Sequence, residues 1–222
     1  NLDVTAPRAM AVLRPVKLVI ENYPEGQEEF FELANHPKNP DMGARKVGFS
    51  REVFIEDSDF MENPCAKFFR LAPGREVRLR GAYLVTCTGV VKNDDGTVRE
   101  VLCTYDPASR GGDAPDGRKV KGTLHWVSAR HCAEAEVRLY DRLFTAEFPG
   151  KDADFMTQLN PASLETLSGC KVERSLTEAA PEDRFQFERQ GFFCADRFDH
   201  APGRAVFNRT VTLRDSWAKV AG

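Results

Sequence analysis

Over residues 185–194 and 205–217 the chain alternates apolar side chains with hydrogen-bonding ones at the period of a β-strand. Successive side chains of a strand point to opposite faces, so one face enters a core while the other presents amides, carboxylates and guanidinium groups. Shorter runs of the same kind predict strands at 10–20, 53–56, 77–80, 83–92, 97–105, 120–127 and 135–144. Asn93-Asp94-Asp95-Gly96 between two apolar runs predicts a hairpin, since Asp-Gly accepts the backbone dihedrals of a tight turn. Helix signals are few. Asp59 with Glu62 three residues on predicts a capped turn, and Asn160-Pro161 predicts an N-cap before a helix that Gly169 ends. Residues 107–117 and 177–183 read as loops. The 13 prolines and 16 glycines recur at strand-length intervals, the punctuation of sandwiches and barrels rather than of alternating β and α units. The pattern alone predicts an all-β chain of one or two barrels.

Length and charge narrow the possibilities. A chain of 222 residues can bury one generous core or two modest ones, and two is the expectation. With 41% hydrophobic and 29% charged residues, and no run approaching the ~20 apolar residues of a spanning helix, a soluble cytoplasmic protein with no membrane partner is predicted. A formal net charge of −3 argues against bulk electrostatic attachment to nucleic acid, so any RNA site is local and DNA is not an expected partner. The six cysteines form no CxxC pair and read as reduced thiols. His125, His131 and Cys132 lack a fourth ligand at zinc spacing, so no metal is assigned. There is no G-x-S-x-G elbow and no phosphate-binding glycine loop, so no nucleophile and no bound cofactor are expected here. Opening on Asn1 rather than Met, the sequence reads as a fragment excised from something longer.

Two groups of residues carry candidate chemistry. Arg8, Gln186, Glu188 and Arg189 combine donors with an acceptor, which matches the two carbonyls and one N–H of a splayed uracil. By periodicity alone the same residues also fit the solvated side of a strand, with Arg189 closing a barrel end through a salt bridge. In 67–80, aromatics interleave with arginines, and Arg78 and Arg80 project from one strand face, an arrangement able to stack bases and pair phosphates. Arg118-Lys119-Val120-Lys121 and Arg130 form a weaker basic cluster suited to an RNA backbone or to a solvated loop.

These words, with Ala6-Pro7-Arg8-Ala9-Met10-Ala11-Val12 and Asn35-His36-Pro37, resemble the anticodon-binding region of glutaminyl-tRNA synthetases from about Ala6 to Lys219. The resemblance implies two β-barrels with a distal one inserted in a proximal one: 1–66 with 146–222 for the proximal, 67–145 for the distal. It implies that Arg8, Pro37, Gln186, Glu188 and Arg189 line the pocket of the middle anticodon base, that Arg70 meets the third base, and that Arg78 and Arg80 meet the first. The chain carries Lys67 and Phe69 where relatives carry other polar residues. The implied partners are glutamine tRNA and the catalytic domain of the same polypeptide, which would hold ATP with Mg and join glutamine to tRNA. The alternatives are the matching region of an archaeal or eukaryotic-type glutamyl-tRNA synthetase, a noncatalytic ribosomal RNA-binding barrel, and a β-domain serving protein contacts.

Overall fold

The computed structural model describes residues 2–213; the tail of the second alternating stretch, 214–217, and Lys219 lie outside them. Almost all regular structure is strand, and the only α-helix among the described residues is the four-residue Leu2–Thr5. Two seven-stranded sheets organise the molecule. The outer sheet runs β1 (Arg8–Ala9), β14 (Arg184–Phe187), β15 (Gly191–Ala195), β16 (Ala205–Val211), β12 (Cys132–Tyr140), β13 (Leu164–Glu173), β2 (Ala11–Val12). The inserted sheet runs β10 (Thr123–Leu124), β7 (Glu76–Leu79), β8 (Leu84–Lys92), β9 (Val98–Tyr105), β3 (Pro15–Ile20), β6 (Glu52–Glu56), β11 (Val127–Ser128). A separate hairpin, β4 (Glu28–Ala34) with β5 (Ala44–Ser50), packs Phe31, Val47 and Phe49 into the inserted core.

Both sheets curl into barrels by the same device. The two edge strands of the outer sheet, β1 and β2, are separated in sequence by Met10 alone, and those of the inserted sheet, β10 and β11, by His125 and Trp126. One short segment thus serves both edges of each sheet and draws them together. The segment 9–13 also stands between the two cores. Ala9, Ala11 and Leu13 belong to the outer core and Met10 and Val12 to the inserted one, all of them buried, as the alternation of a strand dictates. In the inserted core Phe49 meets Tyr23, Tyr83 and Trp126 with ring centroids 5.0–5.5 Å apart. The outer core stacks Phe187 on Phe193 at 4.2 Å and sets Phe207 edge-on.

The two-barrel, nested architecture is the one the resemblance implied, and sheet membership divides the chain at other residues. Residues 15–20 pair with 98–105 and 132–140 with 164–173, so the chain leaves the outer sheet after Val12 and rejoins it at Cys132, rather than at 67 and 145. Three expected strands are broken. At 10–20 the Glu56 carboxylate accepts from the backbone N–H groups of Leu13 and Arg14 (2.6 and 3.0 Å) where Pro15 has none to give, and the chain turns into the second sheet. The 120–127 run divides around His125-Trp126. The 185–194 run is a hairpin whose turn, Glu188-Arg189-Gln190, takes Arg189 to φ 66°. The helix expected after Asn160 is absent: Asn160 caps a single turn by accepting from Ala162 N–H (3.0 Å), and β13 then pairs antiparallel with β12 along its length, with one break in register. Gly169 is the extra residue of a bulge there, not a helix stop. Asp57–Asp59 forms one 3-10 turn, but Asp59 is a buried ion-pair partner rather than its cap. The 93–96 hairpin closes as expected, Asn93 N–H donating to Thr97 O and Gly96 N–H to Asn93 O, each at 2.9 Å.

Candidate nucleic-acid interface

Where the barrels meet, a cleft of about 300 Å³ is lined by Arg8, Pro37, Arg45, Arg78, Arg80 and Glu188. Local pairing explains why these residues converge. Arg8 lies beside Gln186 in the parallel pairing of β1 with β14, and Gln186 and Glu188 donate their backbone N–H groups to Pro7 O and Ala9 O, both at 2.9 Å. Pro37 is carried in by the turn between β4 and β5. That turn is fastened by Arg8 N–H to Asn35 O (2.7 Å) and by buried His36, whose Nδ1 accepts from Lys38 N–H (3.2 Å), leaving the Nε2 proton to donate to Asp3 O (2.8 Å). Arg78 and Arg80 share one face of β7 and its end, as alternation predicted, with Val77 and Leu79 in the core. Arg78 Nε donates to Gly112 O and holds the 111–113 loop at the rim.

Arg8, Arg80 and Glu188 line the cleft and Gln186, outside the lining, reaches it through Arg8, a pairing that leaves chemistry available. Arg8 Nε donates to Gln186 Oε1 (3.2 Å) and Arg80 Nε to Glu188 Oε1 (3.1 Å). Both arginines keep Nη donors, Gln186 keeps its amide donors, and Glu188 keeps Oε2 as an acceptor. Gln186 and Glu188 are each only 7% exposed, so a group bonded to them is read in a largely dry site.

Arg189 is elsewhere. Its guanidinium forks onto the fully buried Asp59, Nη1 and Nη2 each donating at 2.6 Å, and it does not line the cleft. The salt-bridge reading of Arg189 describes its geometry. Arg70 is also separated from the cleft: its Nη1 donates to Ser58 O (3.0 Å), and it borders a second cleft of about 290 Å³ with Phe69, Arg75, Lys119 and Lys121. There the Lys121 ammonium sits 5.1 Å from the centre of the exposed Phe69 ring.

The basic cluster 118–121 divides. Arg118 is taken by Glu76, Asp106 and Asp116, while Lys119 and Lys121 line the second cleft; Arg130 is paired with Glu28. The polar face of β16 is turned to internal use, Asn208 donating to Asp196 Oδ2 (2.6 Å) and Thr210 to Phe192 O (3.1 Å). His125 bonds Arg189 and Glu56, and among the described residues no group of three His, Cys, Asp or Glu side chains is placed to hold a metal. Sequence reasoning missed Arg45, Glu56 and Asp59. Arg45 forks onto Glu173 (2.6 and 2.9 Å) at the edge of the first cleft, but Glu-Glu-Phe-Phe-Glu-Leu-Ala, the strand it pairs with, has no alternation to announce it. The acidic run Glu56-Asp57-Ser58-Asp59 at a strand end was the available signal for the other two.

The chain belongs to the anticodon-binding domain family of the class I tRNA synthetases for glutamate and glutamine, whose models match residues 6–106 and 123–196. Within it, the similar full-length proteins are glutamine–tRNA ligases. That of Nitrobacter hamburgensis is 62% identical over 221 residues, that of Bradyrhizobium diazoefficiens 58% over 220, and that of Pseudomonas putida 58% over 220. The matches cover 98–100% of this chain but only 38–39% of each relative, so the chain spans about two-fifths of their length.

Proposed function

We propose that this chain is the anticodon-reading part of a glutamine–tRNA ligase, holding the unstacked anticodon bases of glutamine tRNA in the clefts between and beside its barrels. The carrying observation is the first cleft, where Arg8–Gln186 and Arg80–Glu188 present donors flanking one half-used carboxylate. Those groups complement the two carbonyls and the N–H of uracil, the middle base of glutamine anticodons. In the second cleft the exposed Phe69 ring and the cations around it suit stacking and phosphate contact, and the Arg70 fork suits the O6 and N7 of guanine. Ligation of glutamine, with ATP and Mg, belongs on this reading to the rest of the polypeptide, which works in the cytoplasm where its tRNA is found.

The test is an electrophoretic shift with glutamine tRNA and a copy whose anticodon has been exchanged. The native anticodon is expected to bind more tightly, and Gln186→Ala to lose about 5- to 150-fold for uracil at the middle position, the equivalent of about 1–3 kcal/mol for one desolvated polar group. Equal binding of both tRNAs sinks the reading.

A further inference from the structure

We propose that Asp59 couples the two clefts: its one buried carboxylate is shared by the arginine that fixes the turn beside the first cleft and the arginine that borders the second, making Asp59 a positioning residue for specificity at both. The inference rests on the anticodon reading above.

Asp59 has no exposed surface, so its charge is balanced by protein groups alone. Arg189 supplies a fork, 2.6 Å to each oxygen, and Arg70 Nε lies 3.4 Å from Oδ1. On its far side Arg189 Nη1 is 3.2 Å from His125 Nδ1. A guanidinium has only donors, so Nδ1 accepts, and the ring proton sits on Nε2 facing Glu56 Oε1 at 3.4 Å. Glu56 Oε1 in turn accepts from the Gln190 side chain at 2.7 Å. The turn is therefore pinned twice, through Arg189 to Asp59 and through Gln190 to Glu56. The residue just before these two anchors is Glu188, whose carboxylate meets Arg80 in the first cleft.

Arg70 is held differently. Its side chain is 46% exposed and its contact with Asp59 is single and long, so an acceptor in the second cleft competes for it on favourable terms. Drawing Arg70 away leaves the buried Asp59 with one cation instead of two. The remaining Arg189 fork then carries the whole balance and tightens, which fixes Glu188 more firmly. Coupling of this kind is reciprocal: uracil against Glu188 improves the grip of the second cleft by the same factor.

The experiment compares the unaltered chain, Arg70→Gln and Asp59→Asn, using anticodon stem-loop RNAs with uracil or cytosine in the middle position and guanine or adenine in the third. Arg70→Gln changes an exposed side chain and is expected to weaken third-position discrimination and, on loops with adenine in the third position where the unaltered Arg70 still shares Asp59, to raise the uracil-to-cytosine ratio about threefold or more. Asp59→Asn is expected to lower both ratios, and Arg70→Gln added to it to change the middle ratio no further. On those adenine loops, a middle ratio that Arg70→Gln lowers or leaves within twofold of the original overturns the coupling, whether or not Asp59→Asn folds. A second readout needs no RNA: the Arg189 Nε–H resonance shifts in Arg70→Gln if the carboxylate is shared, and its constancy overturns the proposal. Absence of any base preference in the unaltered chain, with that resonance still shifting, defeats the anticodon reading and leaves the shared carboxylate standing.

Discussion

Single polar side chains gather distant segments of this fold, and Asp196, which joins Arg138, Asn208 and the turn that follows it, is one example. Its Oδ2 accepts from Asn208 (2.6 Å) and Arg138 (3.2 Å), and its Oδ1 from the backbone N–H groups of Phe198 and Asp199 (2.9 and 2.8 Å). The Asn208 bond leads the effects that bring its carboxyl from an ordinary 3.8 down to about 2, working against a partial burial that favours the neutral acid. A depressed folded-state value means that the unfolded chain takes up the proton first. The stabilisation is therefore complete above pH ~4 and is lost as pH falls from there through about 2. Urea midpoints at pH 6 and pH 2.5 check this. Asp196→Asn is expected to be less stable than the original at pH 6 and to show well under half of that deficit at pH 2.5, and an unchanged gap between the two proteins shows that Asp196 does not carry the effect.

Among the elements, those with strict alternation were legible and those defined by a bend were not. β7, β8 and β9 bury residues at alternate places, and their spans agree with the expected ones to within one residue at each end. By contrast, β13 was mistaken for a helix because Asn-Pro before it and Gly169 within it imitate caps, whereas its long-range partner β12 decides its state. Residue type and resemblance group Arg8 with Gln186 and Glu188 but assign Arg80 to a different base, so its meeting with Glu188 is read from the structure alone. A salt bridge for Arg189 was open to periodicity, but its partner Asp59 was not, since local pattern does not join residues 130 positions apart. Two glycines separate backbone strain from crowding. Gly169 sits at φ 73° with open space where a Cβ would go, and Gly169→Ala is expected to cost about 1–2 kcal/mol for the left-handed backbone alone. Gly191, at φ 150°, would place a Cβ 2.6 Å from Val211 O, so Gly191→Ala must also push apart β15 and β16. Urea denaturation should rank Gly191→Ala as the more damaging; the reverse order means the strands yield easily.

At the scale of the molecule, two carboxylates tie the barrels to each other. Glu56, on the inserted sheet, receives Leu13, Arg14 and Gln190, and Glu173, on the outer sheet, receives Met10 N–H (2.8 Å) and the Arg45 fork. One cooperative unfolding transition follows from this interlock. Glu173→Ala strands the poorly exposed Arg45 guanidinium and is expected to cost about 3–5 kcal/mol and to broaden or split the transition in a melt followed by both fluorescence and circular dichroism. A loss under about 1 kcal/mol with the transition still sharp would show the barrels to be joined by their apolar wall alone. The segment 8–12, which serves both edges of the outer sheet, has a consequence for biosynthesis. Its partners β13 and β14 lie more than 150 residues downstream, whereas the strands of the inserted sheet lie between residues 15 and 128 and leave the ribosome together. The inner barrel can therefore assemble while β1 and β2 still wait unpaired, and the outer sheet is completed only after residues 164–211 have been translated.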